Sequence, residues 1–412
     1  MIRSRSCRDL RAGGRAQSEN GPTRNRLTAM KKIFRSKLFR FVAIPLIGLV
    51  FLVLIGGGWY FSGVLEEDGL RVDNAAHEVS VSITGISADS ITLQLLPDAE
   101  EDSLNISAQW GVTDGVNYGR LGDILSGSGE KVTREFTLMS GEFQVGDEVY
   151  LDRTAFPHDP RSAKGIHYAN VPFQSELGEL EAWYVPVESA NAGPELWAIV
   201  VHGRTSNLDA AIKLLDHLNA ASLTINYRND EGAPASESGY YDFGATEWRD
   251  VEAAVQFALD NGAKRIVLVG FSMGGGVIVN YQLKSDLAGH TVGMILEAPM
   301  LNFGRTVDKG AAERGVPAPI TAIAKMLASM RFGIDWDELD FLSHADELTI
   351  PILLIHGDAD DTVPIQTSIE FEAASPSLID LQIFEKTGHV AAWNWDPERY
   401  ESLISEFTKR FD

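Results

Sequence analysis

Six short apolar runs constrain the fold of this chain more than any other feature. They are LWAIVVHG (196–203), SLTINYR (222–228), RIVLVGFS (265–272), VGMILEAP (292–299), PILLIHG (351–357) and LQIFEK (381–386). Near-continuous apolar strands are typical of a parallel sheet that is covered on both faces. Between runs, LDAAIKLLDHLNAA and TEWRDVEAAVQFALDNGA have helical spacing. The sequence therefore predicts an α/β fold, a mostly parallel sheet with helices on both faces, whose ligands bind at the carboxyl ends of the strands.

Charge is distributed unevenly along the chain. Residues 1–40 hold 12 Lys/Arg and two Asp/Glu, which leaves 23 Lys/Arg and 56 Asp/Glu for residues 41–412. An acidic body repels polyanions, so we expect no nucleic-acid partner. The sole cysteine is Cys7, in the basic tail. The rest of the chain is therefore predicted to contain no disulfide, no thiolate metal site and no cysteine nucleophile.

An uncharged stretch near the start predicts a membrane anchor. FVAIPLIGLVFLVLIGGGWYF (41–61) is 21 residues long, enough for a helix across a hydrocarbon core of roughly 30 Å. Basic residues precede it and EEDG (66–69) follows, so the positive-inside rule places the tail 1–40 in the cytoplasm and the body outside the cell membrane. We predict a single-pass anchor over 41–62. The alternative is a cleaved signal peptide, whose apolar region is normally about 7–15 residues and ends at an A-x-A-like site. Met30 is an alternative start of the chain.

The body divides into two parts. Residues 66–165 contain period-two segments such as HEVSVSITGI and KVTREFTL, separated by Gly, Asp and Ser, which predict a small β-rich accessory domain. SGSGEK (126–131) is expected to be a loop. No cluster of histidines or convergent carboxylates suggests chemistry there, so a role as a spacer or packing module is favoured over ligand binding. Residues 166–412 form the predicted α/β domain, beginning with an antiparallel hairpin over GIHYANVPF and GELEAWYVPV.

The stretch VLVGFSMGGG (267–276) carries a candidate nucleophile. It runs from a buried-strand pattern into a helix, with Ser272 between Gly270 and Gly274. A sharp strand-to-helix turn needs small residues on both sides of the serine, and it points the helix N-terminus at the hydroxyl. This context favours a nucleophilic Ser272 over a serine that only packs.

A serine nucleophile needs a base, and the base needs an orienting acid. Among nine histidines, only His389 directly follows the last predicted strand after a glycine; His202 and His356 sit in HG pairs that turn formation explains. The acid should follow the preceding strand, in HGDADDTVP (356–364). Asp360, three residues past Gly357, is the preferred candidate and Asp361 is its rival. The expected catalytic set is Ser272, Asp360 and His389, in the chain order of α/β-hydrolases.

Acyl transfer also requires hydrogen-bond donors for an oxyanion. One is expected to be the backbone N–H of Met273, which follows the nucleophile. The second is expected from the loop after the first parallel strand, VVHGRTSN, where we predict the N–H of Arg204. The Arg204 side chain has two open roles: it holds a substrate carboxylate or phosphate, or it forms a structural salt bridge.

Over residues 166–412 the chain resembles the α/β-hydrolase superfamily, because HGR, NYRND, GFSMGGG, HGDADDTVP and GHV occur in that family's order. The segment INYRNDEGAPASESGYYDFGATEWRDVEAAV is similar to the Bem46 and serine-aminopeptidase-like branch, although Asn229 stands where that branch has glycine. The resemblance implies a cap over the site at about 300–348, in which Met326, Met330, Phe332 and Trp336 either line an acyl pocket or face the core.

These observations predict a membrane-anchored, outward-facing serine hydrolase that cleaves carboxylic esters, small acyl esters or lipids, through an acyl-enzyme, with no metal or organic cofactor. A peptidase or an acyltransferase that uses the same triad is the alternative among enzymes. The alternative of another class is an inactive binding protein on a hydrolase fold, and a missing triad member would have indicated it.

Overall fold

The computed structural model describes residues 37–72, 77–187 and 195–411. Most of the predicted basic tail, together with Cys7 and the alternative start at Met30, lies outside the described residues. The chain forms two compact units, one up to Gly57 and the other over Gly58–Asp412.

The predicted membrane segment is helical. Helix α1 spans Lys37–Leu65, contains Pro45 and leads into a π-helical turn at Glu66–Leu70. Over Phe41–Leu70 its mean hydropathy reaches 2.5, so by length and composition it is able to cross a membrane. This helix has no polar face opposite its apolar residues, which distinguishes it from the amphipathic helices that pack on the α/β sheet.

The β-rich region is a closed six-stranded antiparallel barrel with strand order β1-β2-β5-β4-β3-β6. The strands are β1 Val81–Ile86, β2 Ser90–Leu95, β3 Trp110–Thr113, β4 Tyr118–Ser128, β5 Lys131–Ser140 and β6 Glu148–Asp152. Alternate side chains point inward, and Val81, Ile83, Leu93 and Val132 are fully buried there. The predicted loop over 126–131 is wrong at its ends, because β4 and β5 pair up to Ser128 and Lys131.

The predicted α/β fold is confirmed by an eight-stranded sheet of order β14-β13-β12-β11-β9-β10-β8-β7. The hairpin β7–β8 pairs antiparallel with itself and with β10, and all other neighbours are parallel. The strands are β7 Ala169–Gln174, β8 Glu179–Val185, β9 Leu196–Val201, β10 Ala221–Ile225, β11 Arg265–Phe271, β12 Thr291–Glu297, β13 Ile352–Gly357 and β14 Ile379–Phe384. Apolar clusters cover both faces of the sheet.

The helices that follow α1 are mostly crossovers of this sheet. They are α2 Pro160–Lys164, α3 Trp248–Asp260, α4 Met273–Lys284, α5 Phe303–Glu313, α6 Ala318–Phe332, α7 Ile365–Ala374, α8 Ala392–Trp395 and α9 Pro397–Thr408. Helices α5 and α6 and a 3₁₀ segment at Phe341–Glu347 occupy the range predicted as a cap.

One predicted helix is wrong. The segment LDAAIKLLDHLNAA forms two short 3₁₀ turns, at Leu208–Ala211 and Leu215–His217, instead of one α-helix. Residues 211–215 are all buried, whereas a surface helix buries one face and exposes the other. Lys213 is among them, and its ammonium lies 3.7 Å from the buried Glu297 carboxylate, which the helical periodicity did not reveal.

Candidate active site

A tight turn between β11 and α4 displays Ser272. Its backbone has φ 50° and ψ −117°, a conformation that costs energy for a residue with a side chain. The turn leaves no room at its flanking glycines. A Cβ on Gly274 would lie 2.3 Å from the Val201 carbonyl oxygen, and one on Gly270 would lie 2.7 Å from the Gly274 oxygen. The glycines around the serine are therefore required by close backbone approach.

The three side chains predicted to act together meet at the carboxyl ends of β11, β13 and β14. His389 Nε2 lies 2.9 Å from Ser272 Oγ, and His389 Nδ1 lies 2.8 Å from Asp360 Oδ2. The other oxygen of Asp360 accepts the backbone N–H groups of Thr362 and Val363, each at 2.8 Å. The rival Asp361 is exposed and accepts the Thr362 hydroxyl instead, so it is not part of this relay.

The Asp360 carboxylate is held by a second histidine that sequence reasoning missed. His356 Nε2 lies 3.1 Å from Asp360 Oδ2 in an off-axis contact, and His356 Nδ1 lies 2.7 Å from Ser368 Oγ. Burial raises the pKa of Asp360, but the contacts with His356 and His389 outweigh burial and hold its pKa well below the usual range. The i, i+4 spacing of His356 and Asp360 is the sequence signal for this contact, whereas the HG pair by itself indicates only a turn.

The predicted oxyanion donors flank the serine. Arg204, Ser272 and Met273 all line one cavity, and neither the Met273 N–H nor the Arg204 N–H donates to any residue that the structure describes. The preceding Gly203 carbonyl is held by the Tyr227 hydroxyl at 3.2 Å and by His202 Nδ1 at 2.8 Å. This support keeps the peptide before Arg204 in place, with a free N–H beside the serine.

His202 links that support to the Asp230 carboxylate. Its Nε2 lies 3.1 Å from Asp230 Oδ2, so both ring nitrogens face acceptors, as in an imidazolium. Burial lowers the pKa of His202, but the Asp230 carboxylate outweighs burial and raises it above the usual value. The HG pair at 202–203 is thus more than a turn, because its histidine connects the Gly203 carbonyl to Asp230.

A comparison with known families decides the family to which this chain belongs. The model of the alpha/beta hydrolase family matches residues 198–403, which is half of the chain. The chain belongs to the alpha/beta hydrolase family. Placement in the Bem46 and serine-aminopeptidase-like branch stays a prediction. Asn229, which stands where that branch has glycine, has φ 71°. Asparagine tolerates this left-handed conformation, which explains the exchange with glycine.

Individual relatives of this hydrolase are distant. The uncharacterized protein YfhR of Escherichia coli K12 is 24% identical over 255 residues, covering 60% of this chain and 80% of that protein. The Pyrococcus furiosus esterase Pf2001 is 21% identical with a TM-score of 0.47, covering 62% and 95% of the two chains. A puromycin-hydrolyzing peptidase of Mycobacterium tuberculosis is 15% identical with a TM-score of 0.45, covering 59% and 38%. These likenesses do not decide which bond this hydrolase cleaves.

The cavity of the hydrolase at Ser272 has a volume of about 340 Å³. Its apolar lining includes Phe243, Met300, Phe303 and Val363. The Arg204 side chain also lines it and forms no ion pair with the residues that the structure describes, so the salt-bridge alternative is not seen there. In the described ranges, no group of three His, Cys, Asp or Glu side chains is placed to hold a metal ion.

Neither prediction for the apolar cap residues holds for all four of them. Met326 and Met330 are 56% and 77% exposed, so they neither line the cavity nor face the core. Phe332 and Trp336 pack against the core. Helix α6 instead contributes Ala324 and Lys325 to the cavity lining.

Buried charged side chains hold the loop that carries His389. Glu297 Oε1 accepts the Ala392 N–H at 3.1 Å, and its Oε2 accepts the Tyr400 hydroxyl at 2.8 Å. Lys213 donates to the Val390 carbonyl at 3.3 Å. Burial lowers the pKa of Lys213, and the Glu297 carboxylate offsets part of that effect. The buried ion pair therefore fixes the backbone on the C-terminal side of His389.

Proposed function

We propose that this protein is a serine hydrolase of carboxylic esters. The observation that carries the proposal is the relay from Ser272 through His389 to Asp360, with gaps of 2.9 Å and 2.8 Å, at an apolar cavity. Such a relay supplies the nucleophile, the base and the orienting acid that acyl transfer needs. The apolar lining suits the acyl part of a substrate.

In the proposed reaction, His389 Nε2 removes the Ser272 proton while Oγ bonds to the ester carbonyl carbon. The N–H groups of Met273 and Arg204 stabilise the oxyanion. The C–O bond to the leaving group then breaks, and the alkoxide takes the proton from His389. Water attacks the acyl-enzyme with His389 again as base, which releases the acid and restores Ser272. Asp360 keeps the imidazole oriented throughout.

We also propose that the catalytic part lies outside the cytoplasm, anchored in the cell membrane by α1. The support is the apolar length of α1 together with the basic residues before it and the acidic residues after it.

The nucleophile is tested with a fluorophosphonate probe on the full chain in neutral detergent. We expect one adduct, located at Ser272 by mass spectrometry, and at least a roughly 10³-fold loss of ester hydrolysis in Ser272→Ala. Ser285→Ala, at the other end of α4, is the matched control and should label fully. Full esterase activity in Ser272→Ala would overturn the proposal. A folded protein without an adduct would favour the inactive binding protein.

A further inference from the structure

The cavity at Ser272 has a wall from an unexpected part of the chain. Phe61, Val64 and Leu65, in the last turns of α1, line it together with Phe303 and Val307 of α5. All five belong to the compact unit that begins at Gly58. The residues that end the apolar helix thus have a second role, because they complete the site in which the acyl group is expected to bind.

Chain continuity brings this wall to a membrane surface. The predicted span is 41–62, and a helix rises 1.5 Å per residue, so Val64 and Leu65 follow its end by less than about 5 Å. Trp59 is 57% exposed just before the wall, and tryptophan is typical of the membrane–water interface. When α1 spans a bilayer, the cavity wall lies at the level where lipid acyl esters meet water.

Helix α6 adds an exposed apolar face beside the same segment. Met326 and Met330 are one helical turn apart and are 56% and 77% exposed. On the same helix, the Arg331 guanidinium lies 4.3 Å from the centre of the Trp59 ring and donates to the Trp59 carbonyl at 3.2 Å. Large exposed apolar side chains on a helix that is fixed to an interfacial tryptophan are placed to enter the lipid interface.

We propose that the substrate is an ester lipid carried in the bilayer, whose acyl chain enters the cavity beside Phe61 while Met326 and Met330 enter the lipid surface. This inference rests on the proposed function. The reaction remains a hydrolysis. The acyl C–O bond breaks, and water supplies the hydroxyl group of the acid product and the proton of the alcohol product. A bilayer source avoids moving a long acyl chain through water, which is unfavourable for every CH₂ group that becomes exposed.

The test compares a bilayer ester with a soluble ester. The full chain is reconstituted in vesicles of diether phosphatidylcholine, which contain no carboxylic ester of their own. The substrates are 4-methylumbelliferyl palmitate dissolved in the bilayer and p-nitrophenyl acetate in water. In the double variant Met326→Asp, Met330→Asp we expect the ratio of palmitate to acetate turnover to fall at least about tenfold. Val116→Asp, Val145→Asp is the matched control, with exposed valines on the barrel, and should keep the ratio.

The outcomes separate the two proposals. Turnover of acetate without turnover of palmitate in the vesicles overturns the lipid inference and leaves the hydrolase proposal standing. An unchanged ratio in the Met326→Asp, Met330→Asp variant also overturns it. Turnover of neither ester by the folded chain overturns the proposed function, and the lipid inference with it.

Discussion

At the scale of single residues, the acid of the relay is better supported than a triad requires. Asp360 has no exposed side-chain surface and accepts from two backbone N–H groups while facing His356 and His389. Its Oδ2 is shared between the two imidazoles, at 3.1 Å and 2.8 Å. His356 does not touch Ser272, so it acts as a positioning residue that fixes the carboxylate to which His389 bonds.

Replacing His356 by asparagine, which is too short to reach Asp360, should lower kcat/KM for a soluble ester about tenfold. This is far less than the roughly 10⁴-fold cost of removing the acid's function in a serine triad. The depressed folded pKa of Asp360 stabilises the fold above its unfolded pKa of about 3.9, and that stability is lost as pH falls through the folded pKa. The variant raises the folded pKa, so its deficit in unfolding free energy should be present at pH 7 and shrink only as pH falls from the folded pKa of the variant toward the lower folded pKa of the parent.

Urea unfolding over a series of pH values from 7 to 2, together with steady-state kinetics, measures both effects. His356→Gln is the matched control, because its amide keeps an N–H donor with similar reach and should restore most of the activity. A deficit that stays constant over the whole pH series would show that His356 contributes only packing.

At the scale of elements, the barrel holds the loop that carries His389. Arg153, just after β6, donates to the His389 carbonyl at 2.7 Å. The Asn394 amide donates to the carbonyls of Gln109 and Arg153, each at 2.7 Å, and the Gln109 N–H donates back to the Asn394 carbonyl. The barrel is therefore joined to the loop after β14. The buried Lys213–Glu297 pair contacts the same loop at Val390 and Ala392. A spacer would not need these contacts.

We expect Arg153→Ala to lower kcat about tenfold with little change in KM, because a small shift of the His389 backbone disturbs the aligned relay. Arg153 is exposed, so the melting temperature should change little. The rate of fluorophosphonate labelling, followed beside thermal unfolding, separates positioning from folding.

Arg153→Lys, which keeps a donor, should recover part of the labelling rate. Arg249→Ala removes an arginine that stacks on Trp248 and serves as the matched control. If Arg153→Ala labels at the parent rate, the barrel has no part in placing His389.

At the scale of the whole molecule, charge and hydropathy divide the sequence into three zones. A basic tail precedes an uncharged span, and an acidic body follows it. This order is the basis of the proposed topology, since positive charge is retained on the cytoplasmic side. It also agrees with a cavity wall at the end of the span, where the body begins.

The sole cysteine provides a test of that topology. In sealed right-side-out vesicles from cells that express the 412-residue chain, Cys7 should resist a membrane-impermeant maleimide until detergent is added. In a Cys7→Ser background, Val116→Cys on the barrel should label at once, because Val116 is 83% exposed. The reverse pattern would place the hydrolase on the cytoplasmic side.

The sequence by itself determined the sheet and the identity of the reacting side chains. Buried parallel strands require near-continuous apolar runs, and the six runs coincide with β9 to β14 within two residues at their starts. Because the carboxyl ends of parallel strands share one edge, Ser272, Asp360 and His389 were expected together, and the structure brings them within hydrogen-bond distance.

Only the tertiary structure decided what surrounds those side chains. Local periodicity says that a helix has an apolar face but not what it meets, so the exposure of Met326 and Met330 and the 3₁₀ turns around Lys213 were not predictable. The roles of Phe61 and Arg153 depend on contacts between segments far apart in the chain. The role of His356 depends on the direction in which its ring points. Such contacts are set by packing, which no single stretch of sequence contains.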